Sequence, residues 1–280
     1  MRLRVATWNL WYRFGDPDRR RPAILAALRE LDADVIALQE VWSSDDTDLG
    51  TELAADLGMH AAFGASPDPS GWSRRLEGPP YGIGNAVLAR WPVRDAHTEG
   101  LPAGLEPWSR VLHQVVVDTP AGSCPVWSVH LDSSLIGSAS RIEQVRVIAR
   151  RVVEAPPADL PPVVMGDFNA QADSDEMRLI EGHLTAPAEP GLLLVNTRRW
   201  AADPDEATWG PDNPYVAPSG SPPARIDHVL LGAGRGRVPV RIGRVARFGH
   251  GPVDGVWPSD HAGIVVDLKV PTAGEQKGGS

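Results

Sequence analysis

The 280-residue sequence predicts an α/β protein, on three observations. Strand-like and helix-like segments alternate through the first third, and the alternation returns after residue 140. Short, unbroken apolar runs read as strands buried inside a sheet rather than as amphipathic surface strands. Hydrophobic residues make up 42% of the chain and charged residues 22%, the balance of a soluble globular protein with a large core.

Each element has a local reason. Leu3 to Trp8 is strand-like, and Ile24, Leu25, Leu28 and Leu31 mark one face of a helix over Pro22 to Leu31. Asp34 to Gln39 is a second buried strand, followed by a helix over Thr51 to Leu57 that Gly58 closes. Residues 64–82 are rich in Gly, Pro and Ser and are expected to form a surface loop beside a cleft. Strands follow at Ile83 to Ala89, Val111 to Val117 and Val126 to His130. A long helix over Ser140 to Val153 leads to a strand at Pro161 to Met165, a helix at Ser174 to Ile180 and a strand at Ile226 to Leu231. Strands around Val238 to Val245 and Gly263 to Val270 finish the pattern, after a second long loop at 203–223. The Pro156-Pro157 break lacks the character of a flexible linker, so residues 1–271 are expected to form a single domain, with 272–280 a disordered polar tail.

Composition narrows the function classes. A net charge of −9 argues against a protein coated for non-specific DNA binding. Lys269 and Lys277 are the only lysines, so the positive charge is almost entirely arginine. Cys124, the sole cysteine, permits no internal disulfide and reads as a small buried hydrophobe in a strand. No apolar h-region opens the chain and no stretch is long enough to span a bilayer, so a cytoplasmic protein is the default expectation, and a monomer is taken by default with no sequence signal behind it.

The chemistry is expected where apolar runs end. Asn9 follows the first strand and Glu40 the second; Asp167 and Asn169 follow Val163-Val164-Met165-Gly166, and His130 ends Trp127-Ser128-Val129. Taken singly, Asn9 reads as a turn former, Glu40 equally as a paired or metal-bound carboxylate or an exposed loop acid, Asp167 with Asn169 as an Asx-rich turn, and His130 as a core histidine. Together, carboxylates converging with amides and histidine suit a hard divalent cation and a phosphate-like substrate.

The ordered set Thr7-Trp8-Asn9, Gln39-Glu40, Gly84-Asn85, Ser128-Val129-His130-Leu131, Gly166-Asp167-Phe168-Asn169, Arg225-Ile226-Asp227-His228 and Ser259-Asp260-His261 resembles the endonuclease/exonuclease/phosphatase superfamily, of deoxyribonuclease I-like fold. The resemblance runs from Val5 to about Val270 and implies a four-layered α/β sandwich, two mixed β-sheets face to face with helices outside. It implies a phosphoester hydrolase that uses Mg²⁺ or Mn²⁺ and direct attack by water. By motif, Asn9 and Glu40 match the metal-binding pair and Asp260 an acid sometimes given to a second metal. Asp167 and Asn169 match the pair that engages water and phosphate, Asp227 the acid supporting His261, and His130 a phosphate donor. Apurinic endonucleases typically carry Tyr at the His130 position, which weakens an abasic-site reading. Asn85 and Arg141 are further candidates for substrate contact, whereas His228 is expected on the opposite sheet face.

Substrate choice is assigned to loops at 11–21, 43–50, 64–82, 100–109, 132–140 and 203–223, which carry or adjoin Trp11, Trp42, Trp72, Trp108, Trp209 and Tyr215. A small-molecule or lipid-headgroup phosphodiester is preferred on the acidic charge. A nuclease or DNA-end-processing enzyme is the alternative, with Arg13, Arg19, Arg20, Arg21, Arg74 and Arg75 as its contacts. A non-catalytic binding protein on the same scaffold is the third reading.

Overall fold

The computed structural model describes residues 1–76, 81–105 and 109–271; Trp108 and the expected disordered tail lie outside them. The chain begins with β1 (Arg2–Asn9), α1 (Pro17–Leu31), β2 (Val35–Ser43), α2 (Leu49–Leu57), β3 (His60–Ala65), α3 (Ser70–Ser73) and β4 (Gly82–Ala89). A run of strands follows: β5 (Val93–Gly100), β6 (Val111–Thr119) and β7 (Gly122–His130). Then come α4 (Ser138–Glu154), β8 (Val163–Asp167), α5 (Asp175–Glu181), β9 (Leu194–Asn196), β10 (Asp227–Gly232), β11 (Arg241–Phe248) and β12 (Gly263–Lys269).

Side-chain alternation decides the layering. Leu3 and Val5 of β1 and Val35 and Ala37 of β2 point one way, to meet Val115, Val117, Val126, Val163, Met165 and Val229 from the other sheet. Their neighbours Ala6, Trp8, Ile36 and Leu38 point the other way, under Ile24, Leu28 and Leu53 of α1 and α2. Trp127, Val129 and Val164 do the same beneath Val145, Ile148, Ile180 and Met177 of α4 and α5. A two-residue period with apolar groups at both phases has to be covered on both faces, so the strands demand helix, sheet, sheet and helix in that order. The expected α/β sandwich is therefore the observed one.

Among the described residues each sheet has six strands, in the orders β11-β12-β1-β2-β4-β3 and β5-β6-β7-β8-β10-β9. Both are mixed, because β1–β2 and β7–β8 are parallel pairs, with α1 and α4 in the connections. The other ladders are antiparallel.

The departures from expectation have local causes. Helix α1 begins at Pro17, because the Asp16 side chain caps it by accepting from the Arg19 N–H and Pro17 needs no N–H at N1. Strand β5, Val-Arg-Asp-Ala-His-Thr-Glu-Gly, is a polar edge strand with no apolar run to announce it. Strand β11 starts at Arg241 rather than Val238, past Pro239, which has no N–H for a ladder. Residues 64–82 are only partly a surface loop. Ala65 still belongs to β3, and Trp72 on α3 turns inward to pack with Tyr12 and Ile83. Among the described residues no helix is long and apolar enough to cross a membrane.

Candidate active site

The parallel pairs carry polar residues to one rim. Asn9 at the end of β1 stands opposite Gln39, and His130 at the end of β7 stands opposite Asp167. Asp227 opens β10 beside Asp167, and β12 runs antiparallel to β1, so Ser259-Asp260-His261 returns to the same edge. Close approach at this edge depends on Gly166: a Cβ there would lie 1.9 Å from the Val129 carbonyl oxygen, so no other residue fits between β7 and β8. Glu40, expected at the end of β2, lies within the strand. It occupies a bulge between Leu38 and Val41 at φ +53°, and the strand continues to Ser43. A bulge re-aims a side chain, and here it turns Glu40 into the cleft.

Asp167 Oδ2 is the point of convergence. It accepts from Asn9 Nδ2 at 3.0 Å and lies 3.5 Å from His130 Nε2 and 3.8 Å from His261 Nε2. Its other oxygen accepts from the Asn169 N–H at 2.8 Å, while Asn169, at φ +47°, donates its side chain to the Leu131 carbonyl. His261 Nδ1 lies 2.9 Å from Asp227 Oδ2, an ion pair sealed from solvent. Glu40 Oε1 is 3.8 Å from His130 Nε2, and Arg110 Nη1 lies 2.8 and 3.0 Å from the two ring nitrogens of His130. The cleft above holds about 570 Å³, with Trp11, Phe14 and Trp72 among the residues on its walls, and Trp209 and Ile226 lining it as well.

Burial and charge set the protonation states. Burial pushes Asp167 up to about 6, aided by Asp227 and opposed by His261. Burial likewise raises Asp260 to about 6, with Glu40 adding to it and His261 opposing. Glu40 is raised by burial against the pull of Arg110. Burial disfavours charge on His261, but Asp227, Asp260 and Asp167 outweigh it and hold that imidazole well above its ordinary value. His130 goes the other way, lowered by burial and by Arg110, as suits a ring that accepts from a guanidinium.

The site fits a cation. Glu40 Oε2 is buried with no hydrogen-bond partner among the described residues, a costly state for a carboxylate unless something positive meets it. Asp167, Asp227 and His261 also lie close enough to share an ion. Asp227 Oδ2 and His261 are held to each other by their hydrogen bond, while Asp227 Oδ1, like Glu40 Oε2, is buried without a hydrogen-bond partner among the described residues, so both sides of Asp167 offer an oxygen to an ion. Carboxylate oxygens such as those of Glu40 and Asp260 suit a hard divalent ion.

The profile of one sequence family matches residues 6–261, described as the endonuclease/exonuclease/phosphatase family. The chain belongs to this family. Endonuclease/exonuclease/phosphatase proteins act on phosphoester bonds and are generally metal-dependent. No curated protein matches the chain by sequence. Among solved structures, an endonuclease/exonuclease/phosphatase from Beutenbergia cavernae is similar at 26% identity and TM-score 0.68, over 97% of this chain and 72% of that one. TDP2 of D. rerio, solved with a single-strand DNA product, is similar at 19% identity and TM-score 0.68, over 96% and 99% of the two chains. The human Nocturnin catalytic domain with bound sulfate is similar at 17% and TM-score 0.68, over 96% and 95%. The last two share the fold.

Glu40, His130, Asp167, Asn169, Asp227, Asp260 and His261 thus stand together at the rim of this family member, and other expectations are corrected. Asn9 is at the rim, but its side-chain oxygen accepts from the Trp11 N–H at 2.9 Å, so it offers its amide nitrogen to Asp167 instead of its oxygen to a cation. Asn85 does not reach the cleft. Its Nδ2 donates to the carbonyls of Val111 and Ser128, both at 3.1 Å, and so bolts β4 of one sheet to the other. Arg141 is spent on Glu176 at 2.9 Å and on the carbonyls of Asp132 and Ser134 rather than left for phosphate. Arg20 is buried and binds five backbone carbonyls, Pro258 among them, while Arg21 pairs with Glu52 and Asp56. Arg13 lies over the rings of Trp42 and Tyr81, and Arg75 over Phe14 and Trp72 at the cleft wall. His228 is buried on the far face against Ala170 and Asn196, as expected.

Arg110 is the residue that sequence reasoning missed. It directly precedes the apolar run of β6, and β6 runs antiparallel to β7, so the start of one strand lies beside the end of the other. Scanning only the C-terminal ends of strands cannot find it; a polar residue at the head of an antiparallel strand carries the same signal.

Proposed function

We infer that this protein hydrolyses a phosphodiester with a divalent cation, Mg²⁺ or Mn²⁺, and water as the nucleophile. The observation that carries this reading is the convergence on Asp167 Oδ2, with Glu40 Oε2 buried and unmatched nearby. Glu40 and Asp260 would hold the cation, which would supply positive charge to neutralise the phosphate and the leaving oxygen. Asp167, fixed by Asn9 and by the Asn169 N–H, orients the attacking water and accepts its proton. Asp227 fixes the His261 ring with Nδ1 donating, so the imidazolium presents Nε2–H to the phosphoryl oxygens. His130, backed by Arg110, lines the same cleft.

A small-molecule or lipid-headgroup phosphodiester is the preferred substrate. The acids Glu40, Asp167, Asp173 and Asp260 line the cleft against the arginines Arg75 and Arg141, and Arg141 is already paired. The adjoining groove continues with Asp203, Asp205, Glu206 and Asp212, beside Arg225 and with Arg198 and Arg247 paired to three of these acids. Such a track repels a polyanion. The aromatic walls support nucleic-acid end processing as the second reading, since bases stack on such rings.

A screen across plasmid DNA, 5′-tyrosyl oligonucleotide, sphingomyelin, glycerophosphodiesters and inositol phosphates, with Mg²⁺ or Mn²⁺, tests the reading. Turnover should vanish with EDTA and return with added metal. Chelator-resistant hydrolysis, or no hydrolysis of any phosphoester, overturns it. DNA binding that falls steeply with salt would move the assignment to the second reading.

A further inference from the structure

The cleft has an apolar lip. Leu135 and Ile136, between β7 and α4, are 90% and 83% exposed, the highest values among the large apolar side chains described. Leu105 on the adjoining segment is 61% exposed. The two segments touch: Gly104 packs so closely on Asp132 that a Cβ would lie 1.5 Å from its Oδ2, and Gln144 on α4 donates to the Pro102 carbonyl while accepting from the Asp132 N–H. Leu135 also lines the cleft, so the apolar surface is continuous with the reaction site.

This lip is held in place, not loosely draped. The Leu131 N–H bonds the Asp167 carbonyl, which roots the loop at the catalytic strand end. Arg141 then clamps the carbonyls of Asp132 and Ser134, and the Gly137 N–H closes a turn onto Ser134. The buried guanidinium expected at the phosphate thus serves to project two hydrocarbon side chains into solvent. A tied convex turn of this kind is what apolar docking to a yielding surface requires, since it offers a wedge and no groove.

We propose that Leu105, Leu135 and Ile136 insert into the surface of a lipid layer and seat the cleft at headgroup depth. The occupant is a lipid surface because the lip is continuous with a phosphoester cleft whose lining is acidic. A lipid phosphodiester presents its headgroup beside hydrocarbon, and no cationic track is needed to guide it. The inference deepens the phosphodiesterase reading and rests on it for the identity of the headgroup bond, though docking is measurable without turnover.

The test uses full-length protein in EDTA and sedimentation with phosphatidylcholine vesicles. Wild type should pellet with the vesicles, and the double variant Leu105→Ser/Ile136→Ser should bind about tenfold or more weakly. Ile136→Trp should bind more tightly, because indole favours the membrane interface. With metal restored, the double variant should match wild type on a soluble chromogenic phosphodiester and lose turnover on vesicle lipid in proportion to lost binding. Absence of wild-type binding, or equal binding by the variants, overturns the proposal. So does a wild-type dimer that the double variant dissociates without any vesicle binding, for then a second copy covers the lip. If vesicle binding follows the variants but no phosphodiester is cleaved, docking stands and the catalytic reading falls.

Discussion

Strands β12-β1-β2-β4-β3 of one sheet and β6-β7-β8-β10-β9 of the other follow one plan, each with a parallel pair joined through a helix. Asn9 and His130 occupy matching strand ends, as do Gln39 and Asp167. Their chemistry differs. In the first sheet the rim positions are neutral: Thr7 Oγ1 donates to Gln39, and Gln39 donates to Ser128 across the interface. Its charge enters through the bulge that turns out Glu40. In the second sheet Asp167 and Asp227 sit directly on regular strand ends, next to the two histidines. Paired amides are cheap to bury and can knit two sheets, whereas a buried carboxylate needs a partner. Along its paired strand ends one copy of the plan is therefore structural, and its charged residues stand off the regular strands, Glu40 on the bulge and Asp260 and His261 just ahead of β12. The other is reactive.

The comparison is sharpest at Asp167 and His261. Asp167→Asn or His261→Ala should each cut kcat by about 10²–10⁴-fold in protein that still folds, and saturating Mg²⁺ should not restore it. Glu40→Gln should weaken metal affinity about 100-fold or more, and its turnover should recover in part at high metal. Titrating each variant with Mg²⁺ separates the two halves. If Asp167→Asn is the one rescued by metal, the assignment is reversed.

A smaller effect concerns pH. Asp167 and Asp260 have folded-state pKa values near 6, above their ordinary 3.8, so both are protonated below that point. Metal affinity and kcat/KM should fall as pH drops through about 6, and more metal should move that limb downward, because the ion competes with protons. The stability sign is opposite. A carboxyl whose folded pKa is raised costs the fold stability as pH rises from 3.8 through 6, so Asp260→Asn should raise Tm at neutral pH while lowering activity. An unchanged or lowered Tm would show that the charge is not held at a cost.

The smallest effect on chemistry is expected at Asn85. Asn85→Ala leaves the carbonyls of Val111 and Ser128 without that donor and should destabilise by about 1–3 kcal/mol in urea, with kcat for soluble substrate little changed. Loss of turnover beyond loss of folded protein would return Asn85 to the substrate side.

Much of the site was legible because its residues follow apolar runs whose burial is not negotiable. Val163-Val164-Met165 had to be a strand, so Gly166-Asp167 had to be its end. Other residues were ambiguous for a physical reason. A guanidinium can serve phosphate, carboxylate or backbone equally well, and only packing chose Glu176 for Arg141, five carbonyls for Arg20 and His130 for Arg110. The polar edge strand β5 lacked any hydrophobic signal at all.

Local periodicity, strand-end chemistry and motif order were thus sufficient for the layers and for most of the acids and histidines at the rim, since both depend on neighbours in sequence. Which oxygen of Glu40 is left unmatched, which way the Asn9 amide faces and where each arginine spends its charge were decided by tertiary structure. Those outcomes depend on partners that lie up to hundreds of residues away along the chain, as Arg20 shows in reaching Pro258, and no local pattern encodes them.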